Sequence, residues 1–296
     1  MRGNICMKKY DYTDILGWSH SRYRTFDECR RKYYYHYYGK NFQPQISEQV
    51  VQLKRLVSRP LLNGSIVHDL IEKALNHLKF NFEFVEADFL EFAEKFIETA
   101  CNNAASFEKY YENAELDIVS IETSVFEALG NFLKSSRFEL LLGSTPETRA
   151  LWVIEPPGFG ETRFQGKKVY FKVDFLVVED GQYLVFDWKT GKKDPIQHAE
   201  QIKGYALWVM DHYEAAVGSV NMNISYVTGG YEEISVDVNP FDLSQLAGKI
   251  ESQTNYMYDM CSDIQGNIPK PIDEFPLIAN PNRCKYCNFK LLCDRV

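Results

Sequence analysis

The chain has no run of about 18 uncharged apolar residues, so no membrane-spanning helix is expected. Its first residues, MRGNICMKKYDYTD, lack the apolar stretch of a secretory signal, and a cytoplasmic protein is the expectation. Nor is there a disulfide framework: the seven cysteines are odd in number and unevenly spaced, unlike those of small secreted domains. Positive charge is also short. Lys and Arg number 33 against 41 Asp and Glu, and the net charge of −8 does not advertise a nucleic-acid binder. Net charge is a global quantity, however. A basic stripe can sit on an acidic protein, and carboxylates that hold metal add to the negative total. With 296 residues the chain is long enough for one large domain or two small ones, and for a sizeable core.

What is present centres on residues 170–189, YFKVDFLVVEDGQYLVFDWK. Runs rich in Val, Phe, Tyr and Leu flank Asp180-Gly181, a strong hairpin signal. With those two residues as the loop, Glu179 pairs with Gln182. Counting outward sets Asp174 opposite Asp187, with Cβ atoms about 4.5–5.5 Å apart. The two-residue period puts Lys189 on the face of Asp187 and turns Trp188 to the other side. Two facing carboxylates repel and weaken a hairpin unless a cation sits between them. A divalent metal would serve, with Lys189 beside it. The alternative is a solvated hairpin with scattered charges, and a one-residue slip in register would undo the geometry.

Ahead of this hairpin, Ser19 or Ser21 can cap a helix running through Phe26 and Cys29 toward Tyr38. Residues 22–40, RYRTFDECRRKYYYHYYGK, carry six basic side chains against two acidic ones, with aromatics interleaved. Basic groups neutralise phosphates and aromatics stack bases; an amphipathic helix packing its tyrosines into a core fits the same pattern. Residues 41–60 read as irregular. An amphipathic helix follows Asn63-Gly64-Ser65, with His68 beside its apolar stripe. Residues 83–140 read as helical. From Leu151 the pattern changes to strands, the first ended by Pro156-Pro157, with Glu155 as a possible extra acid. Pro195 starts a helix on which Gln201 and Tyr205, four apart, share a face. A second hairpin turns at Gly229-Gly230, and Asn239-Pro240 caps a helix expected to reach about Cys261. Residues 266–282 are proline-rich and irregular. The chain then ends with Cys284, Cys287 and Cys293, three thiols in ten residues, a metal-site layout that needs a fourth ligand. Iron–sulfur and zinc both suit it. Cys6, Cys101 and Cys261 have no assigned role.

Asp174 followed by Asp187-Trp188-Lys189 resembles the PD-(D/E)XK nuclease core, and Thr190-Gly191 with Gln201-x-x-x-Tyr205 resembles its RecB-like branch. Gly64-x-x-x-His68 resembles that branch's histidine motif. Cys29 paired with the terminal Cys-x-x-Cys-x5-Cys resembles the iron–sulfur nucleases, namely AddB nuclease domains and the CRISPR-adaptation nucleases. The resemblance runs from Ser19 to Cys293 and implies an α/β fold: a central mixed sheet flanked by helices, the restriction-endonuclease-like core. It further implies a single nuclease domain over 1–296, with a helical insertion at 83–140 and a C-terminal cluster segment at 266–296 closed by Cys29.

By the same resemblance, Asp174, Asp187 and the Trp188 carbonyl hold Mg²⁺ or Mn²⁺, with His68 a further ligand and Glu155 an extra acid. Lys189 is catalytic beside Asp174 and Asp187. Gln201, Tyr205, Arg30 and Arg31 contact substrate. Cys29, Cys284, Cys287 and Cys293 hold a 4Fe–4S cluster, with Zn²⁺ as the alternative. The implied activity is hydrolysis of phosphodiester bonds in DNA, by exonuclease action on single strands or strand ends, with protein partners in a recombination, phage or CRISPR system. The rival reading is a non-catalytic DNA- or protein-binding module with the same fold. Two positions depart from the family pattern: Arg30 stands where Pro is usual, and Lys172 where Gly is common. Lys172 shares a face with Asp174 and is expected to compete for it as an ion pair.

Overall fold

Asp180 and Gly181 both take positive φ, 48° and 76°, as a two-residue hairpin loop of type I′ requires. The structure is a computed structural model that describes residues 7–156 and 160–295; Cys6 and Pro157 lie outside the described residues. Its internal contacts divide into two units. The first comprises Met1–Lys9, Val57–Thr162 and Phe171–Ser244, and the second Tyr10–Leu56, Arg163–Tyr170 and Gln245–Val296.

The first unit holds a five-stranded sheet of β1 (Val153–Ile154), β2 (Phe175–Glu179), β3 (Gln182–Lys189), β4 (Val220–Tyr226) and β5 (Glu232–Val236), side by side in that order. The pair β3–β4 is parallel and the other pairs are antiparallel, so the sheet is mixed. The register of β2 and β3 is the one counted from the loop, from Glu179 opposite Gln182 out to Phe175 opposite Phe186. Gly229 and Gly230, at φ 71° and 107°, turn the second hairpin between β4 and β5.

This unit also holds four long helices, α1 (Arg59–Lys79), α2 (Glu86–Asn103), α3 (Ile118–Leu133) and α4 (Pro195–Tyr213), besides shorter ones. Alternation along β3 sorts its side chains to the two faces of the sheet. Phe186 and Trp188 turn to the face covered by α1, α2 and α3 and join their buried residues in one apolar cluster. There Trp188 meets Phe132 edge-on at 5.0 Å and stacks on Phe186 at 6.1 Å. Asp187 points to the opposite face, where α4 makes the crossover that a parallel strand pair needs. The helical region 83–140 therefore shares the core of the sheet: Ala93, Ile97, Ile121, Val125 and Leu129 belong to the same cluster as Trp188.

Residues 41–60 are more regular than the sequence suggested. Ser47–Lys54 is a helix that buries Val50 and Leu53, and α1 begins at Arg59, because Pro60 is compatible with a first helical turn. In the second unit, Ser19 caps the helix His20–Glu28 by accepting the Arg22 N–H. The expected continuous helix toward Tyr38 breaks at Cys29, which is extended (φ −164°, ψ 118°) and caps a new helix, Arg30–Tyr34, followed by a π turn at Tyr35–Gly39. Tyr33, Tyr34, Tyr35 and Tyr38 are buried there, so those four tyrosines pack inward. The helix after Asn239 ends at Tyr258, short of Cys261, which starts a two-stranded ribbon with Ile268–Pro269. The proline-rich stretch and the C-terminal segment after it are held by side chains. Phe275 and Phe289 are buried, Arg31 Nε donates to the Phe275 carbonyl at 2.8 Å, and Tyr35 Oη donates to the Leu292 carbonyl at 3.2 Å.

Candidate active site

The site lies in the first unit, where β2 and β3 part. Asp174 stands one residue before β2 and is buried. Its Oδ2 accepts the Trp188 N–H at 3.0 Å, so the carboxylate of one strand is tied to the backbone of the other. Its carbonyl accepts the Glu155 N–H at 2.9 Å. Glu155, just beyond β1, has φ 38°, a left-handed conformation uncommon for a residue with a side chain. Ligand atoms of Glu155, Asp174 and His68 all lie within 4.8 Å of one another, and His68 Nδ1 is 3.5 Å from Asp174 Oδ2. Lys172 pairs with Glu155 at 2.7 Å, where competition for Asp174 was the expectation.

Asp187 has different neighbours. Its Oδ1 accepts the Tyr205 hydroxyl at 2.9 Å. Its Oδ2 is 2.6 Å from Lys189 Nζ, but off the direction a hydrogen bond needs, and this buried oxygen has no hydrogen-bond partner. Lys189 Nζ donates instead to Gln201 Oε1 at 3.1 Å. Gln201 and Tyr205, one turn apart on α4, thus fix Lys189 and Asp187 respectively. His198, a turn earlier on α4, bonds the Tyr226 hydroxyl at 2.8 Å through Nδ1.

Electrostatics show what the site is short of. Burial, then the charge of Asp187, pushes the Asp174 carboxyl above its ordinary range, while His68 and the Trp188 N–H pull it back. Burial, then Asp187 and Asp174, holds the Tyr205 hydroxyl well above its usual value, so it stays a donor. Burial, then Glu155, pushes Asp69 up as well. Acids crowded this way stabilise a bound cation. Carboxylate oxygens with one imidazole, as His68, Glu155 and Asp174 supply within 4.8 Å of one another, fit a hard divalent ion. Asp69 escaped the sequence reading; its only signal is that it follows His68.

Two glycines let the helices come this close. A Cβ at Gly64 of α1 would lie 2.9 Å from Thr190 Oγ1, and one at Gly204 of α4 would lie 2.1 Å from the Phe171 ring.

The second unit holds the other group. Cys29 caps its helix, its Sγ accepting the Lys32 N–H at 3.5 Å. Cys284 and Cys293 close short 3-10 turns, and the Cys287 N–H donates to the Cys284 carbonyl at 2.9 Å. Burial pushes the Cys293 thiol up to about 12, with the charges of Cys287, Cys29 and Cys284 adding to it. Burial also raises Cys287, with Cys29 and Cys284 adding. The N-terminal cysteine and the C-terminal three therefore stand near enough to act on one another. Cys101 and Cys261 are buried, and the Cys261 thiol donates to the Met257 carbonyl at 3.8 Å. Arg30 lies over the Phe26 ring at 3.5 Å, and Arg31 is engaged with the Phe275 carbonyl.

A mixed five-stranded sheet flanked by helices, with acids at the parting of two strands, is a restriction-endonuclease-like fold. The model of the PD-(D/E)XK nuclease superfamily matches residues 17–294, and the chain belongs to that superfamily. No curated protein matches. Among solved structures, the crystal structure of SSO0001 is similar at 16% sequence identity and a TM-score of 0.31, over 72% of this chain and 98% of that one.

Proposed function

We propose that the protein is a DNA exonuclease of the RecB-like branch that hydrolyses phosphodiester bonds with Mg²⁺ or Mn²⁺. The observation that carries this is the gathering of His68, Glu155 and Asp174 ligand atoms within 4.8 Å of one another, with Asp187 on the neighbouring strand held by Tyr205 and ion-paired with Lys189 at 2.6 Å. Asp187, Asp174, Glu155, His68 and the Trp188 carbonyl would hold the ion. When bound, the ion supplies a more acidic water and offsets charge on the phosphate. The chain's own residues do the positioning. Lys189, braced by Gln201, orients the attacking water and stabilises developing negative charge. Tyr205 keeps Asp187 in its rotamer, and the Trp188 N–H does the same for Asp174. Substrate contact by Arg30 and Arg31 belongs to the same reading, as does cytoplasmic work on single strands or strand ends in recombination, phage or CRISPR systems.

The four cysteines would hold a 4Fe–4S cluster that clasps residues 266–296 to the N-terminal helices. Zn²⁺ on the same four thiolates is the alternative, and iron and sulfide analysis of the purified protein separates the two.

The test is to strip the protein of divalent metal and assay cleavage of labelled DNA with and without Mn²⁺. Cleavage restored by Mn²⁺ supports the reading. Binding without cleavage under both conditions would favour a non-catalytic module on the same fold.

A further inference from the structure

The second unit carries a group of cations with no acidic counterpart. Arg22, on the helix His20–Glu28, is set among tyrosines. Its Nε donates to Tyr33 Oη at 3.2 Å, and its guanidinium lies 4.3 Å from the centre of the Tyr37 ring. Lys54, the last residue of the helix Ser47–Lys54, reaches the same ring: its Nζ is 5.9 Å from the ring centre and donates to the His36 carbonyl at 2.8 Å. The charges that act on Lys54 are those of Arg22 and Lys40, both cations. Those acting on His36 are Lys54, Lys32 and Arg22. Lys32 has a carboxylate partner, Glu28 at 2.9 Å. Among the described residues, no Asp or Glu forms an ion pair with Arg22, Lys40 or Lys54. Lys40 and Lys54 are exposed, and Arg22, His36 and Tyr37 are partly so.

Like charges held together without a counterion destabilise the fold, and a bound anion relieves them. In a chain of net charge −8, this is a place where an anion would be drawn in. The cations come from three separate segments, so they present an extended patch more than a pocket for one small ion. A sugar–phosphate strand matches that form, with one charge about every 3.4 Å. The Tyr37 ring lies under the Arg22 guanidinium and so holds that cation in the patch.

We propose that Arg22, Lys40 and Lys54, with Tyr37 among them, form a phosphate-binding site that grips the backbone of a single strand without reading its sequence. The choice of nucleic acid as the polyanion rests on the nuclease reading above. Arg22 is the fixed element, held by Tyr33, and the two lysines are the outer contacts.

The test uses the full chain with divalent metal chelated, so that binding is read apart from cleavage. A fluorescein-labelled single-stranded oligonucleotide is titrated by anisotropy across a salt series, with wild type, Lys40→Gln, Lys54→Gln and the double variant. Each lost phosphate contact should lower the slope of log affinity against log salt by about 0.7. At 0.15 M salt that corresponds to about a fourfold loss per lysine, about fourteenfold for both, with the curves converging near 1 M. Lys109→Gln, which removes an exposed charge paired with Glu115 in the first unit, should keep the wild-type slope. A double variant with the wild-type slope, or an equal loss in Lys109→Gln, would overturn the proposal. Failure of the nuclease reading shows elsewhere, as absence of Mn²⁺-dependent hydrolysis of bis(p-nitrophenyl) phosphate by wild type. That small diester has no strand for the patch to grip, so the lysine variants should turn it over at the wild-type rate.

Discussion

Gly204→Ala tests whether the approach of α4 sets the active-site geometry. The added Cβ would lie 2.1, 2.6 and 2.9 Å from three carbons of the Phe171 ring, where ordinary contact begins at 3.4 Å. The closest approach thus falls short by about 1.3 Å, a hard overlap on the 6–12 potential. Phe171 is only 5% exposed, so its ring has no free space into which to turn. The helix must back away, and it carries Gln201 and Tyr205. A shift of that size breaks the 2.9 Å bond from Tyr205 to Asp187 and moves Gln201 off Lys189. Overpacking of this kind costs about 1–3 kcal/mol of stability, and a 1 Å misplacement near the chemistry costs about 10²-fold in rate. Thermal melting and initial rates of Mn²⁺-dependent cleavage read the two effects. Phe171→Leu in the same background makes room and should restore much of both. Wild-type melting and rate in Gly204→Ala, or no rescue by Phe171→Leu, would refute the reasoning.

Three further outcomes follow from the geometry. Lys172→Gln should bind Mn²⁺ more tightly in calorimetry, because it removes the ammonium that pairs with Glu155 at 2.7 Å; unchanged affinity would take Glu155 out of the metal site. His36 is pushed down to about 4 by burial, then by Lys54, Lys32 and Arg22, so its neutral form is the folded one. Its contribution to stability is whole above its ordinary value of 6.5 and declines as pH falls from there toward about 4, since the unfolded chain takes the proton first. Urea midpoints at the ends of that range should converge in His36→Gln, and an undiminished pH dependence would count against the cationic environment. Cys29→Ala, purified anaerobically, should lose iron, sulfide and the broad visible absorption of a cluster. Full iron content in that variant would remove Cys29 as the fourth ligand.

The sheet was legible because a few residues constrain it strongly. Asp180-Gly181 admits the left-handed pair a tight hairpin needs, and a fixed loop fixes the register for every residue outward. The two-residue period then sets Asp174, Asp187 and Lys189 on one face; the spacing of Gln201 and Tyr205 says only that they share a helix face, and their place beside Lys189 and Asp187 came from the resemblance to the RecB-like nucleases. Glu155 was harder to place, since its approach depends on a left-handed backbone at a non-glycine residue, which local preference does not announce. The break at Cys29 was hidden for a similar reason. Residues 20–38 have uninterrupted helical character, and the stop comes from cysteine acting as a cap. The tyrosine-rich run was ambiguous between stacking platform and core, and burial of Phe275 and Phe289 with Tyr34 and Tyr35 decided much of it for the core. Partners that are distant in sequence set that outcome. The same holds for Lys172, whose partner Glu155 lies seventeen positions earlier, just beyond β1.

The central claim is that Asp174, Asp187 and Lys189 form a metal-dependent hydrolytic site. Its most direct measurement compares wild type, Asp174→Ala and Lys189→Ala after removal of divalent metal, with Mn²⁺ affinity by calorimetry and cleavage of labelled DNA followed in parallel. The account predicts that wild type binds Mn²⁺ and cleaves, that Asp174→Ala loses both, and that Lys189→Ala binds Mn²⁺ and DNA but does not cleave. Wild-type cleavage in Lys189→Ala, or undiminished Mn²⁺ binding in Asp174→Ala, would contradict it.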